Sequence, residues 1–226
     1  MNYFSTETFA FLEELTENNN RDWFNDNKQR YEEVVRGPAL ALIEAVGVKL
    51  PEISPHFRAD ARKMGGSLMR VYRDTRFGKD KTPYKTNIGI QFRHEAGKDV
   101  HAPGYYLHIS AAECFVGVGT WHPPSEALYK IRDLMANEPD LWLHARDDAQ
   151  FSRWFNLVGD SLKTAPRGFD KTHPVIDDIK RKDFIGISDL APALIEQEDL
   201  ADIVCDYFKA GRSLMAFLCK AQRVPF

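Results

Sequence analysis

Apolar positions follow three different rhythms along the chain. Up to about residue 50 they recur at helical spacing. Phe9, Leu12 and Leu15 share one face behind Ser5, which can cap the helix, while Phe4 is placed to staple onto Phe9. The Asn18-Asn19-Asn20 run breaks this helix. A second helix carries Trp23, Phe24, Tyr31, Val34 and Val35 and is expected to end at Gly37-Pro38. A third opens at Pro38, covers Ala39 to Leu50 and stops at Pro51. The stretch "PEISPHFRADARKMGG" then reads as a polar connection.

From Ser67 the period becomes two. Met69 and Val71 alternate with Leu68, Arg70 and Tyr72, and Ile88, Ile90 and Phe92 alternate with Asn87, Gly89 and Gln91. Tyr105, Leu107 and Ile109 alternate with Tyr106, His108 and Ser110, and Cys114, Val116 and Val118 with Phe115, Gly117 and Gly119. Such alternation marks half-buried strands, and four in close succession without helices between them predict an antiparallel sheet. Beyond Pro123-Pro124 the helical rhythm returns. Leu128, Ile131, Leu134 and Met135 make one stripe, helical segments follow around Leu141 to Leu157 and Val175 to Lys182, and a last long helix runs on from Asp199. The expected fold is α+β: a single antiparallel sheet of about four or more strands, with N-terminal and C-terminal helices packed on one face. One domain is expected over residues 1–226, helical over 1–55, a sheet over 66–120 and mainly helical over 121–226.

Composition narrows the class. The 226 residues are 43% hydrophobic and 12% aromatic, enough to bury a core, so disorder is excluded. No apolar run is long enough to span a membrane, and the acidic N-terminal stretch is not a secretory signal. Cys114, Cys205 and Cys219 form no C-x-x-C pair, which suits a reducing compartment and small buried apolar groups; the expected location is cytoplasmic.

Charge is where the chain departs from the ordinary. Net charge is -3, yet "RVYRDTRFGKDKTPYKT" sets six Lys or Arg against two Asp between Arg70 and Thr86. Asp74 to Thr86 would join two strands by thirteen residues, long for a connection without a role. Phe77, Pro83 and Tyr84 can anchor it. Arg70, Arg73, Arg76, Lys79, Lys81 and Lys85 offer donors to a phosphate or carboxylate, with hydroxyls from Thr75, Thr82 and Tyr84. The plainer reading is that Asp74 and Asp80 pair with these cations and tie the loop down. No P-loop pattern is present.

The sheet face away from the helices would carry Arg70, Tyr72, Gln91, Tyr106 and His108, with Gly89, Gly117 and Gly119 leaving space. Those glycines suit either the floor of a cleft or bulges and close packing. His108 is the candidate acid or base, with Glu113 or Asp74 as a carboxylate, although a hydrogen-bonded structural role fits it as well. His94, His101 and His108 recur every seven residues, which suits no strand face, and no cofactor or metal site is expected. In "GVGTWHPPSEALYKIRD", Trp121 and His122 precede a helix whose N-terminus can receive an anion, with Arg132 two turns in.

The segments "NNNRDWFNDNKQRY", "RVYRDTRFGKDKTPYKT" and "YYLHIS...FVGVGTWHPP...LYKIRD" resemble an uncharacterised, largely bacterial family, domain of unknown function 2461. The likeness runs from about Tyr3 to about Phe184 and implies one full-length domain, but no activity or site residue. From the residues themselves, the leading expectation is a site for a small anionic, phosphorylated ligand, with catalysis left open. Arg73, Arg76, Lys81 and Lys85 would hold the anion and Arg70 and Tyr84 would orient it. The alternatives are nucleic-acid binding, which a pI of about 6.2 counts against, and a protein-interaction surface for an acidic partner.

Overall fold

The computed structural model describes residues 2–76, 79–97 and 102–226. Phe77 and His101, named above as a loop anchor and a histidine of the seven-residue series, lie outside the described residues.

Helix α1 (Thr6–Glu17) starts where Ser5 turns extended and its N–H donates to Thr8 Oγ1 at 3.2 Å. Asn20 does more than break it: its side chain accepts the Trp23 N–H at 3.0 Å and caps α2 (Arg21–Asp26). Then α3 (Lys28–Tyr31) passes through a π-helical turn, Glu32–Arg36, straight into α4 (Gly37–Ile53). The expected stop at Gly37-Pro38 is therefore corrected. Pro38 sits just past the π-helical turn, inside this continuous run, where its missing N–H interrupts the bonding without ending the helix. Pro51 likewise removes one bond without ending the helix, which closes when Ser54 N–H reaches the Leu50 carbonyl at 3.0 Å.

Strands β1 (Asn87–Arg93), β2 (Gly104–Ser110) and β3 (Cys114–Thr120) pair antiparallel as the alternation predicts. Two more strands, β4 (Asn156–Val158) and β5 (Phe184–Asp189), lie in the part expected to be mainly helical, giving the order β1-β2-β3-β5-β4. In β5 Phe184 and Gly186 face the core, while Ile185 and Ile187 point the other way, so the glycine blurs the buried side. The stretch from Met69 to Arg73 is not a strand. Leu68 alone bridges to Ile90, the chain bends at Val71, and Tyr72 bridges to Tyr84 instead. Leu68 and Val71, not Met69, are the buried members, because the bend rotates the side chains out of strict alternation.

One face of the sheet carries Ile90, Leu107 and Val116 in one row and Phe92, Tyr105 and Val118 in the next. Helices α10 (Leu200–Ala210) and α11 (Arg212–Gln222) cover it, with Phe208 stacked on Tyr105 at 4.5 Å and edge-on to Phe92 at 5.4 Å. These two helices replace the single long one expected, parting at Gly211. Between the strands run α5 (Ser125–Asn137), α6 (Pro139–Arg146), α7 (Ala149–Trp154) and the short α8 (Ile176–Ile179). A further short turn, α9 (Pro192–Ile195), precedes α10. Among the described residues no helix is long and apolar enough to cross a membrane.

Candidate functional site

The basic segment is built on a two-strand neck. Arg73 N–H donates to the Pro83 carbonyl at 2.9 Å and Lys85 N–H to the Val71 carbonyl at 2.7 Å. Asn19, from the first quoted motif, holds this neck against the N-terminal helices. Its side-chain amide accepts the Tyr84 N–H and donates to the Tyr84 carbonyl, both at 3.0 Å. The buried Tyr84 ring stacks on Phe24 at 4.0 Å, with Tyr72 packed against both. Tyr72 thus belongs to the helical side and not to the open sheet face, because Asn19 and Phe24 draw the neck away from the sheet.

Several cations are spent on the loop itself. Arg76 clamps Asp74 with two bonds of 3.0 and 2.7 Å, which hold that carboxyl well below the usual carboxylate range. Arg73 pairs with Asp80 and donates to Thr82 Oγ1 at 2.7 Å, and Lys81 Nζ donates to the Thr75 carbonyl at 2.8 Å. Lys85 is different. Half-buried, it has no ion pair or side-chain hydrogen bond among the described residues. Burial, then the neighbouring charges of Arg70 and Arg73, push its pKa down. Arg73, Asp74, Lys85, Thr86 and Asn87 line an open hollow of about 330 Å³ at this corner.

Asn87 links that hollow to the open face of the sheet. There a cleft of about 420 Å³ has Tyr106, His108, Phe115, Gly117, Ile185 and Ile187 as its floor. Met69, Gln91 and Trp121 form its rim. His108 stacks flat on Phe115, ring centroids 4.6 Å apart and planes within 6°. Tyr106 Oη at 3.3 Å and the Asn87 amide at 3.5 Å both approach His108 Nδ1. With two donors there the other nitrogen carries the proton, 4.0 Å from Glu113. Burial lowers the His108 pKa, opposed by Glu113, and pushes the Tyr106 hydroxyl up to about 12. Asp74 stays with Arg76, so Glu113 is the carboxylate that faces this histidine. Gly89 leaves the space in which Tyr106 Oη sits, and a Cβ there would meet that oxygen at 2.7 Å.

Beside Trp121, at the far end of the cleft, lies a pair that sequence reasoning missed. After β3 the chain turns sharply at His122, a non-glycine residue with φ of 48°. Its backbone N–H and its Nδ1 both bond one carboxylate oxygen, Asp183 Oδ1, at 2.7 and 2.9 Å. The Asp183 side chain is 3% exposed and the imidazole 53% exposed. Trp121, on the cleft rim, stacks on the imidazole at 4.2 Å. Two glycines make the fit possible. A Cβ on Gly159 (φ 117°) would lie 2.6 Å from Asp183 Cβ, and one on Gly119 (φ 131°) would lie 2.0 Å from the Phe184 carbonyl oxygen. His122 was legible as a residue beside Trp121; Asp183, 61 positions away, had no motif to mark it.

Arg132, two turns into α5, lies buried and donates to the Arg181 carbonyl at 2.8 Å. The three cysteines are buried and free, and burial raises the pKa of each thiol. His94 is buried, with Nε2 2.8 Å from the Pro225 carbonyl oxygen. Among the described residues no cluster of three or more His, Cys, Asp or Glu is placed to hold a metal ion.

An α+β scaffold with helices on one sheet face and a cleft on the other defines the class of the molecule. The family model described as "Conserved hypothetical protein (DUF2461)" matches residues 7–217, and the chain belongs to that family. No curated protein and no solved structure matches the chain.

Proposed function

We propose that the chain binds a small anionic ligand, phosphorylated in the simplest case. Its charged group would lie at the corner of Arg70, Arg73 and Lys85, and its body along the aromatic floor of the cleft. The observation that carries this reading is Lys85: half-buried, beside two guanidinium groups and with no carboxylate partner. A half-buried ammonium beside two exposed guanidinium groups is a repulsive arrangement, which makes sense when an anion completes it. The cleft supports the reading by its size, since about 420 Å³ is in the range of small-molecule sites. Of the other candidates, Arg76 and Lys81 shape the loop and Tyr84 anchors it, so in this reading they act on the ligand through the position of Arg73 and Lys85.

The test is a thermal-shift panel of pyrophosphate, nucleotides, sugar phosphates and short oligonucleotides, run on wild type, Lys85→Met and Arg76→Ala. A ligand at about a hundredfold its dissociation constant stabilises by roughly 2.7 kcal/mol, a rise on the order of 5 to 10 °C for a chain of this size. The shift should vanish in Lys85→Met and persist in Arg76→Ala. Lys85→Met without ligand should be more stable than wild type, by ~0.5–2 kcal/mol, because a like-charge contact has been relieved. Equal ligand shifts in wild type and Lys85→Met would end the proposal. A response confined to oligonucleotides and steeply lost with salt would transfer the corner to nucleic acid.

A further inference from the structure

We infer that His122, held by Asp183, is the proton-transfer residue of an ester-hydrolysing site at the Trp121 end of the cleft. Three observations support it. A buried carboxylate accepts from Nδ1 at 2.9 Å, which puts the proton on Nδ1 and leaves Nε2 a free base. The imidazole is half-exposed, and its ring is steadied on Trp121, which lines the cleft. The backbone is held in a conformation that non-glycine residues rarely adopt, by the same carboxylate oxygen that binds Nδ1. Strain of that kind persists only where its surroundings over-determine it. Asp183 is the positioning residue: it sets the tautomer and orients the ring.

In the step that follows, Nε2 takes a proton from water while the water oxygen bonds to the acyl carbon or phosphorus of an ester. The bond to the leaving oxygen breaks, and the imidazolium returns the proton to that oxygen. Water is the nucleophile in this scheme, so acid and alcohol are the products. The substrate class follows from distance. Four residues of β2 separate His108, at the basic end, from Gly104, at the Trp121 end, or ~13 Å of extended chain. A ligand held by Lys85 and cut at His122 is therefore an elongated anionic ester, its scissile bond about that far from its charged group. The length and charge rest on the anion reading above; the dyad does not.

The experiment uses the full chain and two probes, 4-nitrophenyl butyrate, which is uncharged, and bis(4-nitrophenyl) phosphate, so that carboxylic and phosphoric esters are told apart. Wild type should hydrolyse one of them, with a loss of about 100-fold in His122→Asn, a variant whose side chain tolerates the left-handed backbone. His122→Gly, which removes the strain as well as the imidazole, should lose as much and fold at least as well. Asp183→Asn should lower kcat more than KM, and nitrogen NMR should show the His122 proton move from Nδ1 to Nε2. Equal rates in wild type and His122→Asn on both probes overturn the proposal, as does a wild-type His122 protonated at Nε2 alone. Thermal shift reads the basic corner and butyrate hydrolysis reads the dyad, so either reading can fail without the other.

Discussion

His108 sits on the open face of the sheet, yet its protonation is a matter of stability. Burial among Tyr106, Phe115 and Asn87 depresses its folded-state pKa. For a group of this kind the stabilisation is full above the unfolded value near 6.5 and is lost as pH falls through it toward the lower folded value. Wild type should therefore lose more stability between about pH 7.5 and 5.5 than His108→Gln does. Urea midpoints at the two pH values check this, and parallel losses would count against it. At this scale the sequence was informative where a residue carried its own context. His108 could be placed on the polar face because its strand alternates cleanly, and Lys85 lay within a charged motif. Which cations of that motif were already paired could not be read, because Arg76 finds Asp74 only through the turn between them. Asp183 reaches His122 from the residue just before β5, a strand whose core-facing glycine blurs its pattern.

The elements show the same division. Three of the four alternating segments are strands, and the fourth fails for a reason visible in its contacts. Met69 N–H still donates to the Gly89 carbonyl at 2.9 Å, but two residues later Val71 is bonded to Lys85 and the chain has left the sheet. What pulls it away is the clasp of Asn19 on Tyr84, an interaction 65 residues long in sequence that no local rhythm can signal. Asn19→Ala should leave two backbone groups of Tyr84 without that amide, costing ~1–3 kcal/mol. It should also weaken anion binding, since Arg73 and Lys85 flank the released neck. Chemical denaturation and the ligand shift measured on one preparation check both. Unchanged stability would mean that water replaces the amide at no cost.

For the molecule as a whole, the buried apolar side chains form one cluster that runs from Phe4 to Ala221. Trp23 in α2, Trp142 in α6 and Trp154 in α7 all belong to it or pack against it. Tryptophan fluorescence and far-ultraviolet dichroism should therefore report one coincident unfolding transition, as expected of a single domain. Two separated transitions would divide the chain into independent units. The arrangement of layers also has a consequence for synthesis. The apolar rows of β1 to β3 are complete by residue 118, but the helices that dry them, α10 and α11, span residues 200–222. A growing chain therefore shows solvent a sticky wall of Ile90, Leu107 and Val116 for the time needed to make the following hundred residues or so, and this interval, more than the finished fold, exposes it to association with other chains.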